Sequence, residues 1–230
     1  MIKIGGLQKT SLIEYPGKIS AILFTQGCNF RCPYCHNPEL VIPSLFEDQI
    51  PEEEIMDFLK MRVSYLEAVV ITGGEPCLQK GLIEFMQNVK SLGYYVKLET
   101  NGSFPGKISE MIKHKAVDYI GMDIKGPLGK YNQIIKAHID PGKISESIGI
   151  IKNSGIHYEF QTTAVKSILQ KEDFEEIGQL AHGAKWFFVQ KFYPTKTLDP
   201  DFLNEESYSD SDLMEFREIM KRYVGECEIR

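Results

Sequence analysis

Short runs of β-branched residues alternate with helix-forming stretches along most of this 230-residue chain. The runs predict strands at 19–25, 68–72, 95–99, 117–123, 157–165 and 186–190. Apolar residues at helical spacing predict helices at 51–63, 82–92, 144–153, 171–181 and 211–224. Alternation of this kind indicates parallel strands covered by helices. We therefore predict the α/β class, as a partial (β/α)6 barrel of parallel strands with outer helices, because a full eight-unit barrel needs about 250 residues.

The chain is long enough to bury one core, and a single domain over residues 1–230 is the simplest organisation. We expect its core at about 18–191 and a C-terminal loop and helix at 192–230, with an irregular loop at 193–208. A net charge of -6 disfavours nucleic acid as a partner. No apolar run has membrane-spanning length, and the first residues lack the apolar segment of a signal peptide. We expect a cytoplasmic protein without a membrane partner, whose thiols stay reduced.

Three of the five cysteines, Cys28, Cys32 and Cys35, follow the spacing C-x3-C-x2-C. Three thiolates without a fourth nearby favour an iron–sulfur cluster whose remaining iron is open to a non-protein ligand, and an open iron can activate a small molecule. A zinc site completed by His36 stays open as an alternative, although structural zinc ligands usually come as two distant pairs. A reactive thiol without a metal also stays open. The odd, sparse cysteine count disfavours a disulfide framework.

Polar motifs follow the predicted strands at their carboxyl ends, where parallel β/α folds bind ligands. In chain order they are Gly73-Gly74-Glu75-Pro76, Glu99-Thr100-Asn101-Gly102, Asp123-Ile124-Lys125, Thr162-Thr163 and Gln190-Lys191. Each has a structural explanation, since glycines make turns and an aspartate–lysine pair is often only an ion pair. The glycine pair also suits backbone amides that grip the polar end of a ligand. The convergence of the motifs beside the cysteine loop favours a ligand site.

The cysteine spacing, with Tyr34 before the third cysteine, and the Gly-Gly-Glu-Pro motif resemble the radical S-adenosylmethionine (SAM) superfamily. More narrowly, residues 11–17, 25–40, 97–102, 122–125 and 158–163 resemble the activating proteins of anaerobic ribonucleoside-triphosphate reductase. The resemblance extends over nearly the whole chain. It implies a radical SAM oxidoreductase that needs no conventional acid–base pair, because the cofactors perform the difficult chemistry.

For individual residues, the resemblance implies one [4Fe–4S] cluster held by Cys28, Cys32 and Cys35, with SAM on its fourth iron. It implies that Tyr34, Cys35 and His36 contact the adenine. Gly73, Gly74 and Glu75 would receive the methionine amino group. Glu99, Asp123 and Lys125 match positions that contact the ribose, the carboxylate or a nearby ion. The remaining candidate contacts are Thr100, Asn101 and Gln190.

The implied reaction is reductive cleavage of SAM to a 5′-deoxyadenosyl radical, which abstracts a hydrogen from a glycine of a partner enzyme. The implied partners are a glycyl-radical enzyme, first the large subunit of anaerobic ribonucleotide reductase, and a flavodoxin- or ferredoxin-type electron donor. The alternatives are a pyruvate formate-lyase-like partner, a small-molecule substrate such as a deazapurine precursor, or a non-catalytic iron–sulfur or zinc protein.

Two positions depart from the family pattern. Glu99 stands where aspartate is usual and reaches one methylene further, while Gln161 stands where arginine is common and removes a cation. Other conspicuous residues have ordinary explanations: Cys77 and Trp186 are predicted in the core, and Cys227 is too isolated to be a ligand. The histidines without ligand spacing are His114, His138, His157 and His182.

Overall fold

The computed structural model describes residues 1–230 and contains an eight-stranded sheet whose strands lie in chain order. The strands are β1 (Ile4–Tyr15), β2 (Lys18–Thr25), β3 (Ala68–Gly73), β4 (Tyr95–Thr100), β5 (Tyr119–Asp123), β6 (His157–Ala164), β7 (Trp186–Lys191) and β8 (Glu226–Ile229). The helices are α1 (Pro38–Val41), α2 (Glu52–Arg62), α3 (Leu82–Ser91), α4 (Pro105–Lys113), α5 (Tyr131–Ile135), α6 (Gly142–Lys152), α7 (Lys171–Leu180) and α8 (Asp210–Met220). None of these helices is long and apolar enough to cross a bilayer.

The chain forms two compact units. The N-terminal unit comprises Met1–Asn29, Glu39–Thr100 and Gly106–Ile120. The C-terminal unit comprises Phe30–Pro38, Asn101–Pro105 and Gly121–Arg230. The single domain expected over residues 1–230 stays a prediction.

In the N-terminal unit, β1 pairs antiparallel with β2, and β2, β3 and β4 run parallel. The parallel register places Ile22 opposite Val70 and Val70 opposite Lys97. Side chains two residues apart share a face of a strand, so an apolar row can continue into polar residues further along. Tyr15, Ile22, Ala68 and Val70 form an apolar cluster on one such face.

In the C-terminal unit, β6, β7 and β8 are parallel, and α7 and α8 pack beside one another. The rings of Phe174 and Phe216 stack with centroids 4.1 Å apart. Both helices begin with a capping box, formed by Gln170 with Asp173 in α7 and by Ser209 with Asp212 in α8. These caps satisfy backbone donors that the first turn leaves unpaired, which explains why both helices begin where they do.

The six predicted strands are present, and their ends agree within two residues. The predicted α/β class is confirmed, but the sheet has two more strands than predicted, β1 and β8, at its edges. The nine-residue helix α4 was also missed, although Pro105 occupies its first turn in a typical way. In the stretch predicted as a loop, Pro200–Asn204 form a 3-10 turn.

The prediction of Trp186 as a core residue is wrong. Its side chain is 44% exposed, and its ring stacks on Phe188 with centroids 6.3 Å apart. Trp186 is the first residue of β7, and its neighbour Phe187 is fully buried. Alternation along the strand therefore places Phe187 in the core and Trp186 on the opposite face.

Candidate active site

The cysteine loop is divided between the two units, with Cys28 in the N-terminal unit and Cys32 and Cys35 in the C-terminal unit. All five cysteines of the chain are free thiols. The Cys35 amide donates to the Cys32 carbonyl oxygen at 3.1 Å, so a tight turn joins these two residues. The structure contains no preformed group of three or more cysteine, histidine, aspartate or glutamate side chains arranged as a metal site. The assignment of three cluster ligands therefore stays a prediction from the motif.

Cys32 lies in a setting that disfavours a free thiolate. Its pKa is raised to about 11, chiefly by burial, although the nearby charge of Lys125 acts in the opposite direction. A metal would displace the thiol proton, because thiolates are the form that binds metal. Three reduced thiols are a donor set that suits an iron–sulfur cluster.

Tyr34 and His36 in the same loop pack on Phe192, which follows β7 and is fully buried. The His36 ring stacks on Phe192 at 5.5 Å, and the Tyr34 ring meets Phe192 edge-on at 6.4 Å. His36 Nε2 lies 2.9 Å from the Tyr193 carbonyl oxygen. This packing explains His36 without a zinc ion. Phe192 was missed from the sequence, although an aromatic residue directly after a strand end is a signal that could have found it.

The glycine pair at the end of β3 is explained by a close approach to the end of β2. A Cβ on Gly73, which has φ +121, would lie 2.2 Å from the Thr25 amide nitrogen. A Cβ on Gly74 would lie 2.1 Å from the Gly27 carbonyl oxygen. The Gly74 and Glu75 amides donate to the Thr25 and Gly27 carbonyl oxygens, both at 2.8 Å. The prediction that backbone amides of this motif grip a ligand is therefore wrong for these two amides.

The Glu75 side chain is fully buried and held by two neutral donors. Its Oε1 accepts from the Cys77 amide at 2.9 Å and from Thr100 Oγ1 at 2.8 Å. Cys77 is itself buried, as predicted, and burial with the charge of Glu75 raises its thiol pKa well above the usual value. Thr100 at the end of β4 thus contacts the side chain of Glu75 after β3.

Glu99 contacts a lysine that was not among the candidate residues predicted from the sequence. Lys97 Nζ lies 2.7 Å from Glu99 Oε1, and the two side chains are 2% and 14% exposed. Both residues belong to β4, where positions two apart share a face. That spacing is the signal that could have identified Lys97.

Asp123 and Lys125 form an ion pair at the end of β5, with 3.2 Å between Lys125 Nζ and Asp123 Oδ2. Burial opposes the charged form of Lys125, but Asp123 and Tyr34 outweigh it and raise the lysine pKa well above its usual value. The Lys125 amide also donates to the Tyr131 hydroxyl oxygen at 3.2 Å. The ammonium is therefore protonated throughout the physiological pH range.

Gln190 belongs to a network of neutral polar groups on β6 and β7. Its Nε2 donates to Gln161 Oε1 at 2.9 Å, and its Oε1 accepts from Thr163 Oγ1 at 3.2 Å. Gln161 stands where arginine is common, and its carboxamide is hydrogen-bonded to the carboxamide of Gln190. Both polar atoms of the Gln190 side chain have protein partners.

Asn101, after β4, builds a local turn. Its Oδ1 accepts from the amide and the hydroxyl of Ser103 at 3.0 and 2.6 Å. This contact is the side-chain turn typical of asparagine, and it gives Asn101 a structural role whether or not a ligand is bound.

The candidate residues are distributed over the two units as follows. The N-terminal unit holds Cys28, Gly73, Gly74, Glu75, Glu99 and Thr100. The C-terminal unit holds Cys32, Tyr34, Cys35, His36, Asn101, Asp123, Lys125 and Gln190. Their contacts with a cofactor stay predictions.

Comparison with known proteins identifies the family. The model of the radical SAM superfamily matches residues 22–182, which is more than half of the chain. The chain belongs to the radical SAM superfamily, whose members use a [4Fe–4S] cluster and SAM.

Two relatives have names that describe activases. A Methanocaldococcus jannaschii protein, provisionally named a glycyl-radical enzyme activating enzyme, is 34% identical over 235 residues, covering 99% of this chain and 95% of that protein. The pyruvate formate-lyase-activating enzyme of Clostridium pasteurianum is 31% identical over 129 residues, covering 54% of this chain and 53% of that enzyme.

Among solved structures, Streptococcus suis SuiB bound to the precursor peptide SuiA matches with a TM-score of 0.69 and 15% identity. The match covers 91% of this chain but 48% of that one, so the chain spans about half the length of SuiB. At this identity the likeness shows the fold alone. It confirms the predicted partial-barrel class.

Proposed function

We propose that the chain is a radical SAM activase, which cleaves SAM reductively and generates a glycyl radical on a partner enzyme. The observation that carries this proposal is the 34% identity, over 99% of the chain, to the Methanocaldococcus jannaschii protein named for glycyl-radical enzyme activation. The three-cysteine motif supports it, as do the contacts that hold the carboxylates of Glu75, Glu99 and Asp123. The first candidate partner is anaerobic ribonucleotide reductase, with a flavodoxin- or ferredoxin-type protein as electron donor.

Each candidate side chain has a defined task in this proposal. Cys28, Cys32 and Cys35 hold a [4Fe–4S] cluster, and Glu75 accepts hydrogen bonds from the methionine ammonium of SAM. Glu75 is suited to this task because two neutral donors already hold one of its oxygens. When bound, the cluster and SAM together supply the electron transfer and the 5′-deoxyadenosyl radical.

The C-terminal unit contributes the remaining tasks. Lys125, kept protonated by Asp123, offers a fixed positive charge to the ribose or carboxylate of SAM. Tyr34 and His36 contact the adenine, and Phe192 fixes both rings by packing against them. Side chains that bind and orient are what this chemistry asks of a protein, because the cofactor performs the bond cleavage.

A pyruvate formate-lyase-like enzyme is the second candidate partner. The similarity to the Clostridium pasteurianum enzyme over 129 residues supports it, although that match covers 54% of the chain. The two partners share one chemistry, since each would receive a radical at a glycine. Mixing the chain with each partner separately distinguishes them.

The test is anaerobic reconstitution and reduction, followed by addition of SAM and one candidate partner. Electron paramagnetic resonance should show a glycyl doublet on the partner, and Cys35→Ala should abolish it. Cys227→Ala is the matched control, because Cys227 is a buried thiol on β8 outside the motif. We expect this variant to keep both the cluster and the doublet.

Two other outcomes would redirect the proposal. Release of 5′-deoxyadenosine without a doublet would retain the radical chemistry and exclude that partner. A full cluster with neither signal would support a non-catalytic iron–sulfur protein.

A further inference from the structure

Lys97 is the one charged residue among the largest fully buried side chains of this protein. Lysine is almost never buried to this extent unless its ammonium is paired, because removing a charge from water is costly. Lys97 lies in the middle of β4, two residues before Glu99 and on the same face. A buried ammonium at this position needs an explanation that the apolar core does not supply.

Three groups surround the Lys97 ammonium in the N-terminal unit. Nζ donates to the Glu14 carbonyl oxygen at 2.8 Å and pairs with Glu99 Oε1 at 2.7 Å. The Tyr119 ring lies with its centroid 4.9 Å away, at a distance that suits a cation–π contact. A carbonyl oxygen, a carboxylate and an aromatic ring all favour the charged form of the lysine. Lys97 therefore functions as a cation.

The direction of β4 indicates what role this cation has. Glu99 is nearer the carboxyl end of the strand than Lys97, and it retains 14% exposure where Lys97 has 2%. The ammonium thus contacts the carboxylate from the buried side and leaves part of it accessible. Glutamate has one more rotatable bond than aspartate and loses more conformational entropy when it is ordered. A fixed partner is therefore more important for the position of its carboxylate.

We infer that Lys97 is a positioning residue, an internal counterion that holds the Glu99 carboxylate in place for SAM. This role rests on the proposed function. It has a consequence for the protein alone: the Glu99 carboxylate is neutralised by the chain itself and requires no bound monovalent cation. Removal of the ammonium takes a charged partner from a carboxylate that is only 14% exposed, and a small solvated cation can take its place.

The test compares sodium chloride with choline chloride at equal ionic strength, using the reconstituted protein. Choline is too large to replace an ammonium beside Glu99. The variants are Lys97→Met, the double variant Lys97→Met/Glu99→Gln and the control Lys90→Met. Lys90 pairs with Asp118 in the same unit, and its side chain is 27% exposed.

Thermal unfolding provides a measurement that does not depend on SAM. In choline chloride, Lys97→Met should melt about 5 °C below the parent protein, and sodium chloride should restore part of the loss. The double variant should melt above Lys97→Met and show no difference between the salts, because the carboxylate is gone. The parent protein and Lys90→Met should be insensitive to the choice of cation.

SAM affinity tests the positioning role. The dissociation constant of Lys97→Met should rise about tenfold in choline chloride and return toward the parent value in sodium chloride, consistent with loss of one charge-assisted contact. A purely structural lysine would lower the melting temperature without this cation-dependent recovery. The affinity of the parent protein should be equal in the two salts.

Three results would overturn the inference. One is a Lys97→Met protein with the same melting temperature and SAM affinity in both salts. Another is cation dependence in the parent protein. The third is a parent protein that does not bind SAM at all, which would remove the role toward SAM together with the proposed function. In that case the melting comparison would still decide whether Lys97 is the counterion of Glu99.

Discussion

Each unit contains a lysine–carboxylate pair in or next to a strand, and the surroundings of the two pairs differ. In the N-terminal unit Lys97 precedes Glu99, lies within β4 and is 2% exposed. In the C-terminal unit Lys125 follows Asp123, lies beyond β5, and the side chains of Lys125 and Asp123 are 15% and 25% exposed. Both pairs have the same charges and the same spacing of two residues. In both pairs the lysine is the less exposed partner, but Lys97 is almost fully enclosed whereas Lys125 keeps some exposure.

The difference assigns separate tasks to the two lysines. A lysine inside a strand lies beneath the carboxylate and can only neutralise it, whereas a lysine beyond the strand end lies where ligands bind in parallel β/α folds. We therefore expect Lys125 to contact SAM and Lys97 to act through Glu99. Four predictions follow this contrast in order of decreasing effect.

Lys125→Met should reduce the kcat/KM for SAM cleavage at least about 100-fold, since it removes a positive charge that we expect to contact SAM. Measurement of 5′-deoxyadenosine release, with urea unfolding in parallel, separates activity from stability. The free energy of unfolding should fall by only about 1 kcal/mol, because the pair is partly exposed. Retention of near-parental activity would make Lys125 a structural residue and reverse the contrast.

Lys97→Met should lower the free energy of unfolding by about 2 kcal/mol, because it removes the paired ammonium from a carboxylate that is only 14% exposed. Urea unfolding of the parent protein, Lys97→Met and Lys125→Met measures this directly. We expect Lys97→Met to be the less stable of the two variants and the more active one. Equal stability losses would show that burial does not distinguish the pairs.

Thr100→Val should weaken SAM binding about fivefold, equivalent to about 1 kcal/mol, because Glu75 loses one of its neutral donors. Thr100→Ser keeps the hydroxyl and is the matched control. Isothermal titration with the reconstituted protein measures both. If the valine variant bound SAM as well as the serine variant, Glu75 would not depend on Thr100 for its position.

The contribution of Lys125 to the free energy of unfolding should not change with pH between pH 7 and pH 10. Its pKa is raised above the usual value of 10.5, and burial opposes this shift while Asp123 and Tyr34 produce it. The stabilisation by a group with a raised pKa is complete below the unfolded-state pKa and is lost as the pH rises through the folded-state value. Stability should therefore show no loss from Lys125 between pH 7 and pH 10. Urea unfolding of the parent protein and Lys125→Met checks this, and a difference that narrows across that range would contradict it.

Much of the fold could be predicted from local patterns in the sequence. The six inner strands each combine β-branched residues with a turn signal, and their ends were predicted within two residues. The edge strands were missed for different reasons. β1 contains Gly5, Gly6 and several polar residues, and β8 has only four residues, of which two are glutamates. Polar and charged residues are common on edge strands, because they discourage pairing with another chain.

The candidate site was predicted in part. The motifs that carry the family resemblance were found, as was the pairing of Asp123 with Lys125 as a possible structural contact. The use of the Gly74 and Glu75 amides was not foreseen, because their acceptors lie at the end of β2 and just beyond it, about 50 residues away in the chain. Phe192 was missed for a similar reason, since its partners Tyr34 and His36 lie in a distant loop.

The sequence by itself determined the α/β class, the three-cysteine motif and the membership of the radical SAM superfamily, because these depend on residue type and local spacing. Only the tertiary structure decided which polar groups have protein partners. Lysine side chains are usually exposed, yet Lys97 is buried because the Glu14 carbonyl, Glu99 and Tyr119 meet around its ammonium. Such a charge can be buried only where several strands supply its partners together, and that condition is a property of the folded sheet.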